Sequence, residues 1–289
     1  MSAEINRKFR ERIGRRDALL IPGAANALAA RVIEDLGFEA VYLSGAGLSN
    51  TFHGLPDLGF VGLREVADHT AAMRDAVALP IVVDADTGFG NALNVRQTIR
   101  TLERAGASAI QIEDQVSPKR CGHFSGKEVV PLGEMIGKIK AAVDARTDLN
   151  LLVLARTDAR ATQGFDAAID RAAAFIHAGA DITFVEAPES IAEIREIPRR
   201  LSVPQLVNMV VGGRTPIVDL AELRAMGYGL VLYANAALQG AVRGMQAALG
   251  QLKQTGRLDE SGPIASFNER QRLVRKPFFD NLEKRYAED

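Results

Sequence analysis

Cysteine is nearly absent: Cys121 is the only one in 289 residues. That excludes an internal disulfide framework and fits a reducing cytoplasm, which is the expected compartment. A dominant charge is also missing. Thirty-five Lys and Arg face 36 Asp and Glu, for a net charge of -1, so no overall field favours nucleic acid or an acidic membrane. No apolar run approaches the ~20 residues that span a bilayer. The charged opening segment, Met1 to Arg12, carries no apolar signal-peptide stretch. Low-complexity segments are lacking as well.

What is present is a repeating unit. A short apolar run ends in small or polar residues, and an Ala-rich helical pattern such as Gly164–Ala178 follows. The runs are Ala18–Ile21, Ala40–Leu43, Ile81–Val83, Ala109–Ile112, Leu151–Leu154, Ile182–Val185, Gln205–Val207 and Gly229–Leu232. Continuous apolar strands are the mark of a buried parallel sheet. The number of runs and the chain length predict an α/β fold, a (β/α)8 TIM barrel spanning residues 1–289 as one domain. A doubly wound open sheet is the rival, but the first run lacks a Gly-x-Gly-x-x-Gly turn. Ile5, Phe9 and Ile13 predict an amphipathic helix ahead of the barrel. Residues 261–289 form a helical extension beyond the eighth unit, expected to pack on a neighbouring subunit.

In such barrels the strand C-terminal ends converge on one mouth. The pattern therefore gathers Ser44, Asp84, Asp86, Glu113, Arg156, Glu186 and Asn208 in one ring. Asp84 and Asp86, one residue apart before glycines, suit a hard cation. Solvated acids or a helix cap are the plainer explanation, and Glu113 on the next strand tips the balance to a metal. Arg156 suits bidentate carboxylate binding, or else a structural ion pair with Asp158 or Glu186. Tyr42 is either a general base, if a nearby cation lowers its pKa, or a packing residue. Cys121 lies in a loop, Glu113 to Lys127, among Lys119, Arg120 and His123, with Gly122 and Gly126 allowing sharp bends. A lone cysteine is usually a small buried hydrophobe. Its cationic setting instead points to a reactive thiol on a mobile lid. His69 and His177 sit in helical patterns as surface or packing residues, while His53 fits either role.

These segments resemble the isocitrate lyase / phosphoenolpyruvate mutase superfamily. The resemblance rests on Lys119-Arg-Cys-Gly-His123, Asp84-Ala-Asp-Thr-Gly-Phe-Gly-Asn91, Ala155-Arg-Thr-Asp-Ala159 and Phe184-Val-Glu-Ala187. It covers nearly the whole chain and implies a (β/α)8 barrel that binds Mg2+, with Mn2+ as a substitute. It implies a homotetramer that swaps its C-terminal helix and stabilises the enolate of an α-oxo acid. By resemblance Asp86 ligates the metal directly, with Asp84, Glu113 and Asp57 acting through waters. Ser44, Gly45, Ala46 and Gly122 contact the substrate, Arg156 clamps it, and Glu186, His123 and Asn208 line the site. Cys121 is the acid that protonates the departing carbanion.

The cysteine loop favours the lyase branch, since phosphoenolpyruvate mutases and oxaloacetate decarboxylases generally lack that thiol. The carboxyphosphonoenolpyruvate mutases share it. Gln239 and Phe267 stand where the methylisocitrate-cleaving branch has arginines for a third carboxylate, which favours substrates with two. Thr183 to Pro188 and Asn208 to Pro216 look more like the 2,3-dimethylmalate lyase and petal death protein branch. Val211, where those relatives have Glu, and Tyr233-Ala-Asn-Ala236, without Ser or Thr, depart from it. The expected reaction is cleavage of 2-alkyl- or 2,3-dialkylmalates to an α-oxo acid such as pyruvate plus a carboxylate. Methylisocitrate cleavage ranks second, with Arg214 or Arg270 then reading the third carboxylate. Phosphonate chemistry, oxaloacetate decarboxylation and a catalytically silent oxo-acid binder follow.

Overall fold

A computed structural model describes residues 2–122 and 126–287. After a first helix α1 (Ser2–Gly14) come β1 (Leu19–Ala24), α2 (Ala27–Asp35) and β2 (Val41–Leu43). A short α3 (Gly45–Leu48) and a π-helical turn, Ser49–His53, lead to α4 (Leu63–Ala76). Then strand and helix alternate: β3 (Ile81–Asp84), α5 (Ala92–Arg104), β4 (Ala109–Glu113), α6 (Leu132–Ala145) and β5 (Leu152–Thr157). They continue with α7 (Ala159–Gln163), α8 (Phe165–His177), β6 (Ile182–Val185), α9 (Ile191–Arg200), β7 (Gln205–Asn208), α10 (Leu220–Met226) and β8 (Leu230–Tyr233). The eight strands are parallel and close in sequence order, β1 pairing with β8. This is the (β/α)8 barrel the repeat predicts.

All eight apolar runs became strands, but several strands extend further toward their C-termini than the runs did. β3 takes in Asp84, β4 takes in Glu113, β5 runs through Arg156 and Thr157, and β7 ends on Asn208. The ladder continues even past the strand ends. Ala85 N–H donates to the Gln111 carbonyl and Asp114 N–H to that of Arg156. The polar side chains of the mouth are therefore carried on hydrogen-bonded backbone rather than on loose loops.

Inside the barrel, Ile21, Val82, Leu154, Ile182, Leu206 and Leu232 form one buried cluster with Phe9 and Ile13 of α1. Phe9 and Ile13 are each 2% exposed, so α1 plugs the end of the barrel opposite the mouth, with Ile5 only half-buried at its edge. Two further clusters fill the space between the sheet and the outer helices.

Beyond β8 lie α11 (Ala236–Thr255), α12 (Phe267–Leu273) and α13 (Lys276–Ala287). No side chain of these three helices is buried. The extension returns to its own barrel through a bidentate Arg272 pair with Asp35 of α2, at 2.6 and 2.7 Å.

Candidate active site

A cavity of about 340 Å³ opens at the strand C-terminal ends. Tyr42, Ser44, Ala46, Asp57, Asp84, Cys121, Gly122, Arg156, Glu186 and Asn208 line it. Most of the residues singled out from the sequence thus meet in one place. His123 lies outside the described residues. Gly45, Asp86 and Glu113 sit just behind the cavity wall: a Cβ on Gly45 would stand 3.1 Å from Asp84 Oδ2 and 3.2 Å from Asp86 Oδ1. His53, His69 and His177 do not line the cavity; His53 and His69 stack against Phe52.

The carboxylates are held in different ways. Asp84 Oδ1 accepts from Gln111 Nε2 and from the Asp86 N–H, both at 3.2 Å, while Oδ2 accepts from the Gly45 N–H at 3.3 Å. Asp86 takes a left-handed backbone, φ 46°, an uncommon and strained state for a non-glycine residue. Its Oδ1 is buried with no well-aligned hydrogen bond, although Lys119 Nζ approaches to 3.0 Å. Burial, with Asp84 and Asp57 adding repulsion against the pull of Lys119, pushes the Asp86 carboxyl up to about 7. Glu113 is pushed well above the usual carboxylate range by burial, which the attraction of Arg156 does not offset. Lys119 Nζ also donates to Asp57.

These donors were tested against a divalent cation. Among the described residues, no three His, Cys, Asp or Glu side chains already surround a common point. Mg2+ does not require that, because it keeps several waters and takes only one or two direct carboxylates. The donors are all hard oxygens; Glu113 Oε1 is buried without a hydrogen-bond partner, and Asp86 Oδ1 has only the Lys119 ammonium at 3.0 Å. Six buried carboxylates (Asp57, Asp84, Asp86, Glu113, Asp158 and Glu186) face three buried cations (Lys119, Lys127 and Arg156). With Asp86 and Glu113 both pushed toward their neutral forms, a cation bound among these groups would displace their protons, and the acid-rich region favours one. The residues therefore fit the ion.

Three expectations are corrected. Tyr42 faces the cavity, but burial and then the Asp84 charge raise its pKa well above the usual phenol value. The pull of Arg156 does not offset these, so the protein's own charges do not meet the condition set for a base role. Arg156 does not present a free fork. Its Nε and Nη2 grip Asp158 at 2.9 and 3.0 Å, and Nη1 lies 3.1 Å from Glu113 Oε2. The structural ion pair, left open above, is what the geometry shows on the Nε–Nη2 edge, while Arg156 still lines the cavity. Gly45 spends its N–H on Asp84, leaving Ser44 and Ala46 as the members of that trio on the cavity wall.

Several participants had been missed. Gln111 sits two residues before Glu113 on β4, so strand alternation alone points both side chains to the same face. Gln115 grips Arg120 twice, donating from Nε2 to its carbonyl at 2.8 Å and accepting its N–H at 2.9 Å. A bridge between Gln115 and Val129 closes the base of the cysteine loop. No local sequence signal announces those pairings, which depend on the folded loop. The Phe184 ring lies 5.4 Å from the Arg156 guanidinium carbon and supports it from below.

The family description of phosphoenolpyruvate phosphomutase matches residues 9–253. The chain belongs to that family. Relatives within the phosphoenolpyruvate phosphomutase family include the 2,3-dimethylmalate lyase of Eubacterium barkeri, 44% identical over 266 residues, covering 91% of this chain and 92% of that one. The 2-methylisocitrate lyase of Aeropyrum pernix is 45% identical over 248 residues, 86% and 80% of the two chains. A crystal structure of 2,3-dimethylmalate lyase superposes with a TM-score of 0.92 at 33% identity, covering 98% of this chain and 95% of that one. A phosphonopyruvate hydrolase solved with oxalate and Mg2+ gives 0.88 at 29% identity, covering 98% and 99%. Its relatives place the chain among the carbon–carbon lyases of the superfamily.

Proposed function

We propose that this carbon–carbon lyase cleaves 2-hydroxy dicarboxylates, the 2-alkyl- and 2,3-dialkylmalates, to an α-oxo acid such as pyruvate and a carboxylate. The observation that carries the reading is the far wall of the cavity. It is lined by Asn208, Val210, Val211, Leu232 and Asn235, with no cation there among the described residues. Such a wall accepts alkyl groups and one neutrally bound carboxylate, and offers no partner to a third. Gln239 lies behind this wall, and Phe267 is 62% exposed on α12. Neither Arg214 nor Arg270 lines the cavity. A methylisocitrate substrate is the second reading, favoured by the resemblance to the Aeropyrum pernix enzyme.

Asp86, Asp84, Glu113 and Asp57 would hold Mg2+, which when bound would supply Lewis-acid stabilisation of the charge left on the 2-oxygen as its proton departs. Glu186, a carboxylate on the cavity wall, takes the 2-hydroxyl proton as that oxygen becomes the oxo group; the C2–C3 bond breaks and the bonding pair stays on C3. Cys121 delivers a proton to that carbon. Tyr42 and Ser44 offer hydroxyl donors to substrate oxygens, and Asn208 offers its amide to the departing fragment. Arg156 orders Glu113 and Glu186 around the reacting centre rather than binding the substrate with its fork.

We further propose that residues 1–289 act as one barrel domain within a cytoplasmic homotetramer, in which residues 261–289 reach a neighbouring subunit. In support, α11 exposes Val242, Met245, Leu249 and Leu252, and α12 and α13 expose Phe267, Phe278, Phe279 and Tyr286. An apolar surface of that extent calls for a protein partner. Among the described residues no helix is long and apolar enough to cross a membrane.

The test is release of α-oxo acid from 2,3-dimethylmalate with Mg2+ and with a chelator. Release that depends on the ion supports the lyase reading. A protein that binds oxalate yet releases nothing from any alkylmalate is the silent binder instead.

A further inference from the structure

Lys127 is the most enclosed cation near the mouth to which the reaction has given no task. Its side chain is 2% exposed. Taking an ammonium out of water is costly, and only well-placed partners offset that cost. Lys127 has two. Its Nζ donates to the Gly122 carbonyl and to Asp158 Oδ1, the latter at 2.7 Å. Asp158 is itself a fixed post: it takes the Arg156 fork, and its N–H donates to Asp114 Oδ1 at 2.9 Å. Between Arg156 and Lys127 its carboxylate is held below the usual range even though burial works the other way.

Gly122 follows Cys121 directly, and its backbone lies against the reacting centre. A Cβ there would come within 2.5 Å of Arg156 Nη2 and 2.6 Å of Glu186. On the other side of the cysteine, Gln115 grips both backbone polar groups of Arg120. The backbone on the two sides of Cys121 is thus tied down separately, at the Arg120 carbonyl by Gln115 and at the Gly122 carbonyl, one peptide beyond the one that follows Cys121, by Lys127. A solvated lysine would leave the Gly122 peptide free to rotate and carry the thiol with it.

We propose that Lys127 is a positioning residue for Cys121: by joining the Gly122 carbonyl to the Asp158 post, it sets where the thiol stands over the site. The proposal rests on the reading of Cys121 as the proton donor, but its test does not depend on that reading. Cys121 is the only cysteine, so alkylation by iodoacetamide reports on it alone.

Two variants are compared with the wild type, Lys127→Met and Lys127→Arg. Arginine keeps a charge for Asp158 but replaces the compact ammonium with a planar fork that does not reproduce both contacts. In Lys127→Met the alkylation rate of Cys121 should change several-fold. Its kcat should fall by about 100-fold, the loss typical of a misplaced catalytic group, while KM stays within a few-fold. Lys127→Arg should remain folded and show both effects in weaker form, so the measurement survives if the Met variant does not fold. A folded variant with wild-type alkylation and wild-type kcat would overturn the proposal. So would a fall in kcat that only tracks the loss of folded protein. If Cys121→Ser turned over normally while Lys127→Met changed the alkylation rate, the acid reading would fail and the positioning role would stand. The opposite pattern would reject Lys127 and keep the acid.

Discussion

Cys121 and Gly122 carry the most exposed claims at the scale of single residues. Cys121→Ser keeps the size of the side chain but replaces a thiol with a much weaker acid. Turnover should fall by at least ~100-fold, the usual worth of a positioned proton donor, while Mg2+ affinity measured by calorimetry stays at the wild-type value. Full activity in that variant would mean that another group supplies the proton. Gly122→Ala places a methyl where Arg156 and Glu186 already stand, and neither is a flexible surface side chain. The loop must shift, and kcat should drop by about 100-fold with little change in thermal stability. Much of this was readable in advance. A thiol among Lys119, Arg120 and glycines is a local pattern, and so are acids placed just after apolar runs. What sequence did not show is who pairs with whom. Arg156 binds Asp158 and approaches Glu113 where the sequence left a substrate clamp and an ion pair both open, and Lys119 joins Asp57 to Asp86 across residues far apart in the chain. Tyr42 stayed open between base and packing residue for a related reason: the sign of its pKa shift depends on burial and on Asp84, and neither is a property of the strand it sits on.

Among the elements, the strands were legible because a buried parallel sheet demands continuous apolar runs. Their ends were less so, since hydrogen bonding carries β3, β4, β5 and β7 into polar residues that hydropathy excludes. That extension matters, because it places Asp84, Glu113 and Arg156 on rigid backbone. The loop from Asp114 to Val130 had no periodicity to read, and its described residues are held by side chains gripping backbone, as at Gln115 and Lys127. Helix α1 shows the opposite case: the Ile5, Phe9, Ile13 spacing gave the helix, and the closed barrel explains which of its residues are buried. Phe9→Ala should lower unfolding free energy by about 3–5 kcal/mol in urea melts, as expected for emptying a packed aromatic site. Turnover by the fraction still folded should be unchanged, because Phe9 lies at the opposite end from the cavity. A drop well under 1 kcal/mol would mean that α1 does not plug the barrel.

For the whole molecule, the near-zero net charge of the chain hides a strong local imbalance. Buried carboxylates outnumber buried cations around one mouth, and a bound dication would relieve their repulsion in the folded state alone. Mg2+ at 100 times its dissociation constant should therefore stabilise the fold by about 2.7 kcal/mol, seen as a rise in Tm that a chelator reverses. Ca2+ and Na+ at equal ionic strength separate binding from screening. An identical response to all three would place the effect on the surface rather than at Asp86. The number of repeats made the barrel legible from sequence, whereas the fate of α11 to α13 was not a property of one chain. Their exposed Met245, Leu249, Phe278 and Phe279 are the surface that the proposed oligomer would cover, and light scattering tests it.

The central claim is that this lyase reads two carboxylates and not three, because the wall formed by Asn208, Val210, Val211, Leu232 and Asn235 offers no cation. The most direct test is kcat/KM for 2,3-dimethylmalate and for 2-methylisocitrate, measured side by side with Mg2+ by α-oxo acid release. The account predicts that the dialkylmalate is favoured by at least ~10-fold, the worth of about one unpaired charge contact. Equal rates, or a preference for methylisocitrate, would contradict it and require a cation reaching that wall from outside the described lining residues.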